Sequence, residues 1–148
     1  MVNNKDISVL IVDDNDMTRE TLRVILRSDD FNVIGEATDG DVALEMVTKL
    51  KPDIVLLDVI MPKVSGIEAL KSIRLVSSDV AILMVTANKD QETVTEAVKA
   101  GISGYIIKPF NAKKVLDTVQ SVAVKVRLKR ETAASESTPA TAPAPAAE

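Results

Sequence analysis

The stretch that most constrains this chain is Pro52-Asp53-Ile54-Val55-Leu56-Leu57-Asp58-Val59-Ile60-Met61-Pro62. Residues 54–57 are four consecutive apolar side chains, so neither face of a strand built from them can be given to water. A run of that kind belongs in a parallel sheet covered by helices on both sides. It stops on a carboxylate, Asp58, ahead of a turn closed by Pro62 and Gly66. Open α/β sheets bind ligands just beyond the carboxyl ends of their strands, which makes Asp58 a candidate for chemistry. Three further strand-like runs end in polar side chains: residues 8–12 lead into Asp13-Asp14, residues 80–85 into Thr86, and residues 105–107 into Lys108-Pro109. Three carboxylates, a hydroxyl and an ammonium would gather at one edge of one sheet.

Between these runs the pattern changes to helical spacing. A helix over residues 16–27, capped by Asn15 or Asp16, puts Leu22, Ile25 and Leu26 on one face and Arg19, Glu20, Arg23 and Arg27 on the other. A strand over residues 31–35 follows, then a helix over 41–50 that Pro52 stops. Ser65-Gly66 opens a helix to about residue 75, with Ile67, Leu70 and Ile73 inward. Asp90 caps a helix to residue 100, and the last helix, 112–128, carries Val115, Val119, Val122 and Val126 at helical intervals. Five strands alternating with five helices imply right-handed crossovers and a doubly wound α/β sheet, although periodicity leaves the strand order open. Residues 131–148 are rich in Ala, Pro, Ser and Thr and hold no apolar side chain larger than Ala. Such a segment cannot bury enough surface to order itself, so residues 1–130 form the expected domain and 131–148 a disordered tail or the stub of a linker.

Composition removes several functions. The chain has no Cys and no His, which excludes disulfides, thiolate metal sites, histidine acid–base chemistry and a phosphohistidine of its own. A net charge of −4 argues against nucleic acid as the main partner. The first apolar run ends at Val12, too short and too acidic beyond its end for a signal peptide or membrane span, so a cytoplasmic protein is expected. The one basic cluster, Lys125 to Arg130, suits the negative end of a helix dipole and reads otherwise as a small acidic-partner or nucleic-acid contact.

Taken singly, each polar residue has a plain structural use. Asp13-Asp14 and Asp58 can cap turns, Thr86 can cap a loop, and Lys108 can be a solvated surface charge. Their conjunction at four strand ends, with Met61-Pro62 and Lys108-Pro109-Phe110 intact, resembles the receiver domain of two-component response regulators over residues 5–130. Mutual repulsion of Asp13, Asp14 and Asp58 would itself call for a divalent cation, and oxygen ligands suit Mg²⁺ or Mn²⁺.

The resemblance implies a flavodoxin-like sheet in the order 2-1-3-4-5. It implies that Asp58 accepts a phosphoryl group from the phosphohistidine of a histidine kinase or histidine phosphotransfer protein, with Lys108 neutralising the transferred group. The metal ligands it implies are Asp14 and Asp58 directly, Asp13 largely through water, and the Ile60 backbone carbonyl. Thr86 would then bond the phosphoryl oxygen, and Tyr105 would turn inward as the switch, changing the face of the fourth helix, fifth strand and fifth helix that meets a target protein. A half-buried strand aromatic is the other reading of Tyr105. A cis Lys108–Pro109 bond also comes with the resemblance. Ile60 and Asn88 would flank the path of the hydrolytic water, and an apolar Ile60 suggests slow self-dephosphorylation. Such a protein is a phosphoacceptor switch, not a turnover enzyme, acting as a monomer or phosphorylation-dependent dimer. The two output readings are a stand-alone, chemotaxis-type regulator and the regulatory part of a longer DNA-binding or enzymatic protein. A related aspartate-phosphate hydrolase would need a cap domain or extra acidic motif that this sequence lacks.

Overall fold

The computed structural model describes residues 4–58, 66–87 and 91–137, excepting the side chains of 131–137. Expectations for Ile60, Met61-Pro62, Asn88, Asp90 and residues 138–148 fall outside the described residues. A short 3₁₀ turn at Asn4–Asp6 precedes β1 (Ser8–Val12), α1 (Asp16–Ser28), β2 (Asn32–Ala37), α2 (Gly40–Leu50) and β3 (Ile54–Asp58). The chain continues with α3 (Gly66–Val76), β4 (Ala81–Thr86), α4 (Gln91–Ala100), β5 (Gly104–Ile107) and α5 (Ala112–Ser137). All pairings are parallel, in the order β2-β1-β3-β4-β5, so the flavodoxin-like arrangement stands.

Side-chain alternation sorts the helices onto two faces. Val9, Ile11, Leu56, Leu83 and Ile106 join Leu22, Leu26, Val115 and Val119 in one core, beneath α1 and α5. Leu10, Val55, Leu57, Ile82 and Met84 meet Val47, Leu70, Ile73 and Ala97 in the other, beneath α2, α3 and α4. Every residue of β3 and β4 is buried, as the unbroken apolar runs require. Each fully buried Leu or Ile contributes about 1.5–3 kcal/mol relative to an exposed position.

The ends of the elements follow local chemistry. Asn15 Oδ1 accepts from Thr18 N and Asp39 Oδ1 from Val42 N, capping α1 and α2. Gly101 ends α4 at φ +100°, a backbone region that glycine enters freely. Two boundaries differ from expectation. β2 begins at Asn32, with Phe31 buried in the core ahead of it, and runs to Ala37, a bulge opposite Val9 and Leu10 adding one residue to its length. α5 runs to Ser137, so the expected start of the tail at residue 131 falls inside a helix. Glu and Ala in 131–137 favour helix, and Pro139 is the first residue that forbids it. Among the described residues no helix is long and apolar enough to cross a membrane.

At the amino-terminal edge of the sheet Asp53 serves as a bracket. Its Oδ2 accepts from Ser8 N at 2.8 Å and from Ser8 Oγ at 3.1 Å, while Oδ1 meets Arg130 Nη2 of α5 at 2.5 Å. Asp53→Ala should therefore strip the Ser8 N–H of this partner and release the end of α5, lowering stability by about 1–3 kcal/mol in urea unfolding. An unchanged midpoint would show that the bracket contributes nothing.

Candidate phosphoacceptor and metal site

Register brings the polar strand ends to one level. Val12 pairs with Leu57, which sets Asp13 beside Asp58; Asp58 pairs with Val85, and Val85 with Ile106. Thr86 pairs with Ile107 one step further on, and Lys108 N donates to Thr86 O at 2.9 Å. Residues 95 positions apart thus meet: Lys108 Nζ lies 3.1 Å from Asp13 Oδ2. The same ammonium is 3.5 Å from Asp58 Oδ2. The Lys108–Pro109 peptide is cis.

Among the described residues only three polar or charged side chains are buried, and all stand here: Asp13 at 1% exposure, Thr86 at 2% and Asp58 at 5%. Burying a carboxylate costs several kcal/mol unless it is partnered, and Asp13 is held on every side. Its N–H donates to Ala37 O at 3.1 Å, its Oδ1 accepts from Asn15 N at 2.9 Å, and its Oδ2 takes Lys108. Asp14, the next residue, is exposed.

One carboxylate oxygen from each of Asp13, Asp14 and Asp58 lies within 4.8 Å of the other two. The Lys108 ammonium meets two of these three carboxylates, and a divalent cation would relieve the remaining repulsion. The donor set is all oxygen and one of its members is open to solvent, which fits a hard cation such as Mg²⁺ or Mn²⁺ that keeps several waters. The Ile60 carbonyl, the fourth expected ligand, lies outside the described residues.

The two halves of the site belong to opposite faces of the sheet. Asp13, Asp58 and Lys108 continue the positions of Ile11, Leu56 and Ile106, above the α1–α5 core. Thr86 continues that of Met84, above the core of α2, α3 and α4, and Met84 pairs with Tyr105. Tyr105 is 46% exposed. Between it and Thr86, bordered also by Thr93, Val94, Ala97 and Ile102, is a crevice of only about 10 Å³. That space takes at most one water. It is too small to hold an aromatic ring.

One residue of the site was missed. Arg19, expected on the solvent side of α1, turns back and donates through Nη1 to the Asp13 carbonyl at 2.7 Å. Its place one turn after the acidic pair was visible, but helical periodicity assigns it simply to the polar face.

Comparison with known proteins accords with this geometry. A family model described as the response regulator receiver domain matches residues 9–120. The chemotaxis protein CheY of Thermotoga maritima is 40% identical over 115 residues, covering 78% of this chain and 96% of that protein. The transcriptional regulatory protein DegU of Brevibacillus brevis is 37% identical over 82% of this chain, but the chain spans only 52% of DegU. A chain of the CheX–CheY–BeF₃–Mg²⁺ complex of Borrelia burgdorferi superimposes with a TM-score of 0.76 at 36% identity, over 78% of this chain and 88% of that one.

If the acidic trio holds a cation, Mg²⁺ at about 100 times its Kd should stabilise the folded protein by roughly 2.7 kcal/mol. Asp14→Ala should lose most of that gain in urea unfolding. An equal Mg²⁺-dependent rise in both proteins would remove Asp14 from the ligand set.

Proposed function

This chain belongs to the response regulator receiver domain family of two-component signalling, and from that premise we propose that it is a phosphoryl-accepting switch with Asp58 as the acceptor. The observation that carries the reading is the Lys108 ammonium lying between the buried carboxylates of Asp13 and Asp58, 3.1 and 3.5 Å away. The chain holds no histidine, so a phosphohistidine donor lies on another protein, and membership of the receiver family points to a histidine kinase or phosphotransfer partner. A carboxylate oxygen of Asp58 attacks phosphorus, the O–P bond forms as the N–P bond breaks, and the electron pair returns to the donor imidazole. Asp14 and Asp58 directly, Asp13 largely through water, and the Ile60 carbonyl would hold a Mg²⁺ ion, which would supply positive charge for the phosphoryl oxygens. Lys108 exchanges its contact with the carboxylates for one with the transferred group, neutralising charge as it develops. The protein takes one phosphoryl group per molecule and is not a turnover catalyst.

Arrival of the phosphoryl group adds about −1.5 to −2 charge and three acceptor oxygens beside Thr86. We infer that the Thr86 hydroxyl donates to one of them, that its displacement widens the crevice beneath Tyr105, and that the ring turns inward. The face formed by α4, β5 and α5 then changes. Exposed apolar side chains on all three elements, Val98 at 58%, Tyr105 at 46% and Val124 at 48%, support its use as a contact with a target protein. The match to half of DegU supports a second reading, in which this domain controls an attached output domain.

Acetyl phosphate with Mg²⁺ should add one phosphate to the wild type and none to Asp58→Asn, by intact-mass measurement; full labelling of the Asn variant would sink the assignment. Thr86→Ala should still accept the phosphate while its structural readout fades. Losing a charge-assisted hydrogen bond worth about 1.5–3 kcal/mol moves a two-state balance roughly ten- to a hundred-fold. NMR shifts around Tyr105 and α4, with and without beryllofluoride, would report it, and a full response in Thr86→Ala would break the proposed coupling.

A further inference from the structure

Taking the cation site of the preceding reading as its basis, Arg19 acquires a role beyond tying α1 to the sheet. β1 pairs with β3 only as far as Val12, so the peptide between Asp13 and Asp14 has left the ladder. A peptide unit is planar, so a carbonyl held in place on a residue whose N–H is already tied to Ala37 O limits rotation about the Asp13 Cα–C bond and sets the position of the Asp14 Cα. Those two residues carry two of the three clustered carboxylates. Arg19 Nη1 donates to that carbonyl at 2.7 Å.

The guanidinium that makes this bond is itself fixed. Its Nε faces Glu36 Oε1 at 3.4 Å, and its Nη2 pairs with Asp16 Oδ1. Glu36 is anchored in turn by Arg23 Nη1 at 2.5 Å, which ties the fork to β2. The Arg19 side chain is only 12% exposed. A planar fork with partners on three of its nitrogens keeps one orientation, where a lysine would offer a single swivelling ammonium.

We propose that Arg19 is a positioning residue for the cation site: by holding the Asp13 carbonyl it fixes the Asp13–Asp14 peptide, and with it the approach of both carboxylates to the metal. Asp13 is then oriented through its whole backbone, its N–H by β2 and its C=O by α1, while Asn15 and Lys108 hold its carboxylate. A tie between α1 and β2 alone would change stability and leave the cation affinity of the folded protein unmoved.

The test is calorimetric titration of the full chain with Mg²⁺, repeated with Mn²⁺ followed by electron paramagnetic resonance, for the wild type and four variants. Arg19→Met and Arg19→Gln remove the fork and should weaken Mg²⁺ binding about tenfold, as loss of groups that orient metal ligands does. Arg19→Lys, able to keep one bond to the carbonyl, should recover part of the affinity. Glu36→Gln, which leaves Arg19 on the carbonyl, should lose less than Arg19→Met. Circular dichroism establishes which variants are folded, and the Asp14 amide NMR shift without metal should move in Arg19→Gln. Wild-type affinity in either folded Arg19→Met or Arg19→Gln would overturn the assignment while sparing the metal reading. A wild type that takes up no Mg²⁺ would bring down both.

Discussion

Two buried carboxylates held side by side at the dry end of a parallel sheet are the expense around which the rest of this molecule is arranged. Asp13 and Asp58 stand 1% and 5% exposed, with Asp14 close by, and like charges at such separations repel strongly where little water screens them. Lys108 answers part of that repulsion, and it can do so because β5 ends one residue before it. The order β2-β1-β3-β4-β5 matters to function for this reason. It sets the ends of β1 and β3 next to each other and brings the end of β5 within a side chain's reach. Conserving that edge requires the four apolar strand interiors to keep their register, since a slip by one residue turns each side chain to the opposite face.

The same alternation divides the polar strand ends between the two faces of the sheet. Asp13, Asp58 and Lys108 lie in line with the core under α1 and α5, whereas Thr86 and Met84 lie in line with the core under α2, α3 and α4. Thr86, a buried hydroxyl, stands at the rim of the sheet where the two faces meet. Tyr105 stands on that second face, half in solvent, beside a crevice of about 10 Å³.

Much of this was legible in the residues. The apolar runs ending in Asp58, Asp13-Asp14, Thr86 and Lys108 announced the strands and the edge where they meet, because burial on both faces leaves an unmistakable pattern. Asn15 and the helical faces of Leu22, Leu70 and Val119 could be read likewise, since caps and amphipathic spacing are set within a few residues. Less legible were the boundaries. β2 starts one residue late and carries a bulge of its own opposite Val9 and Leu10, and α5 outran its expected end because Ala and Glu carried it toward Pro139.

The sequence by itself determined the alternation of strand and helix, the two-sided burial of β3 and β4, and the chemical types at the strand ends. These are local properties, fixed by hydrophobic period and by what each side chain can do at a strand's last residue. Only the tertiary structure decided that Lys108 would bridge two carboxylates from β1 and β3, that Asp53 would join Ser8 to Arg130, and that Arg19 would leave its polar face to grip the Asp13 carbonyl. Each of these joins different elements, two of them across 77 and 95 positions. Such contacts exist only once the sheet has set its register, and no window of sequence contains both partners in their final orientation.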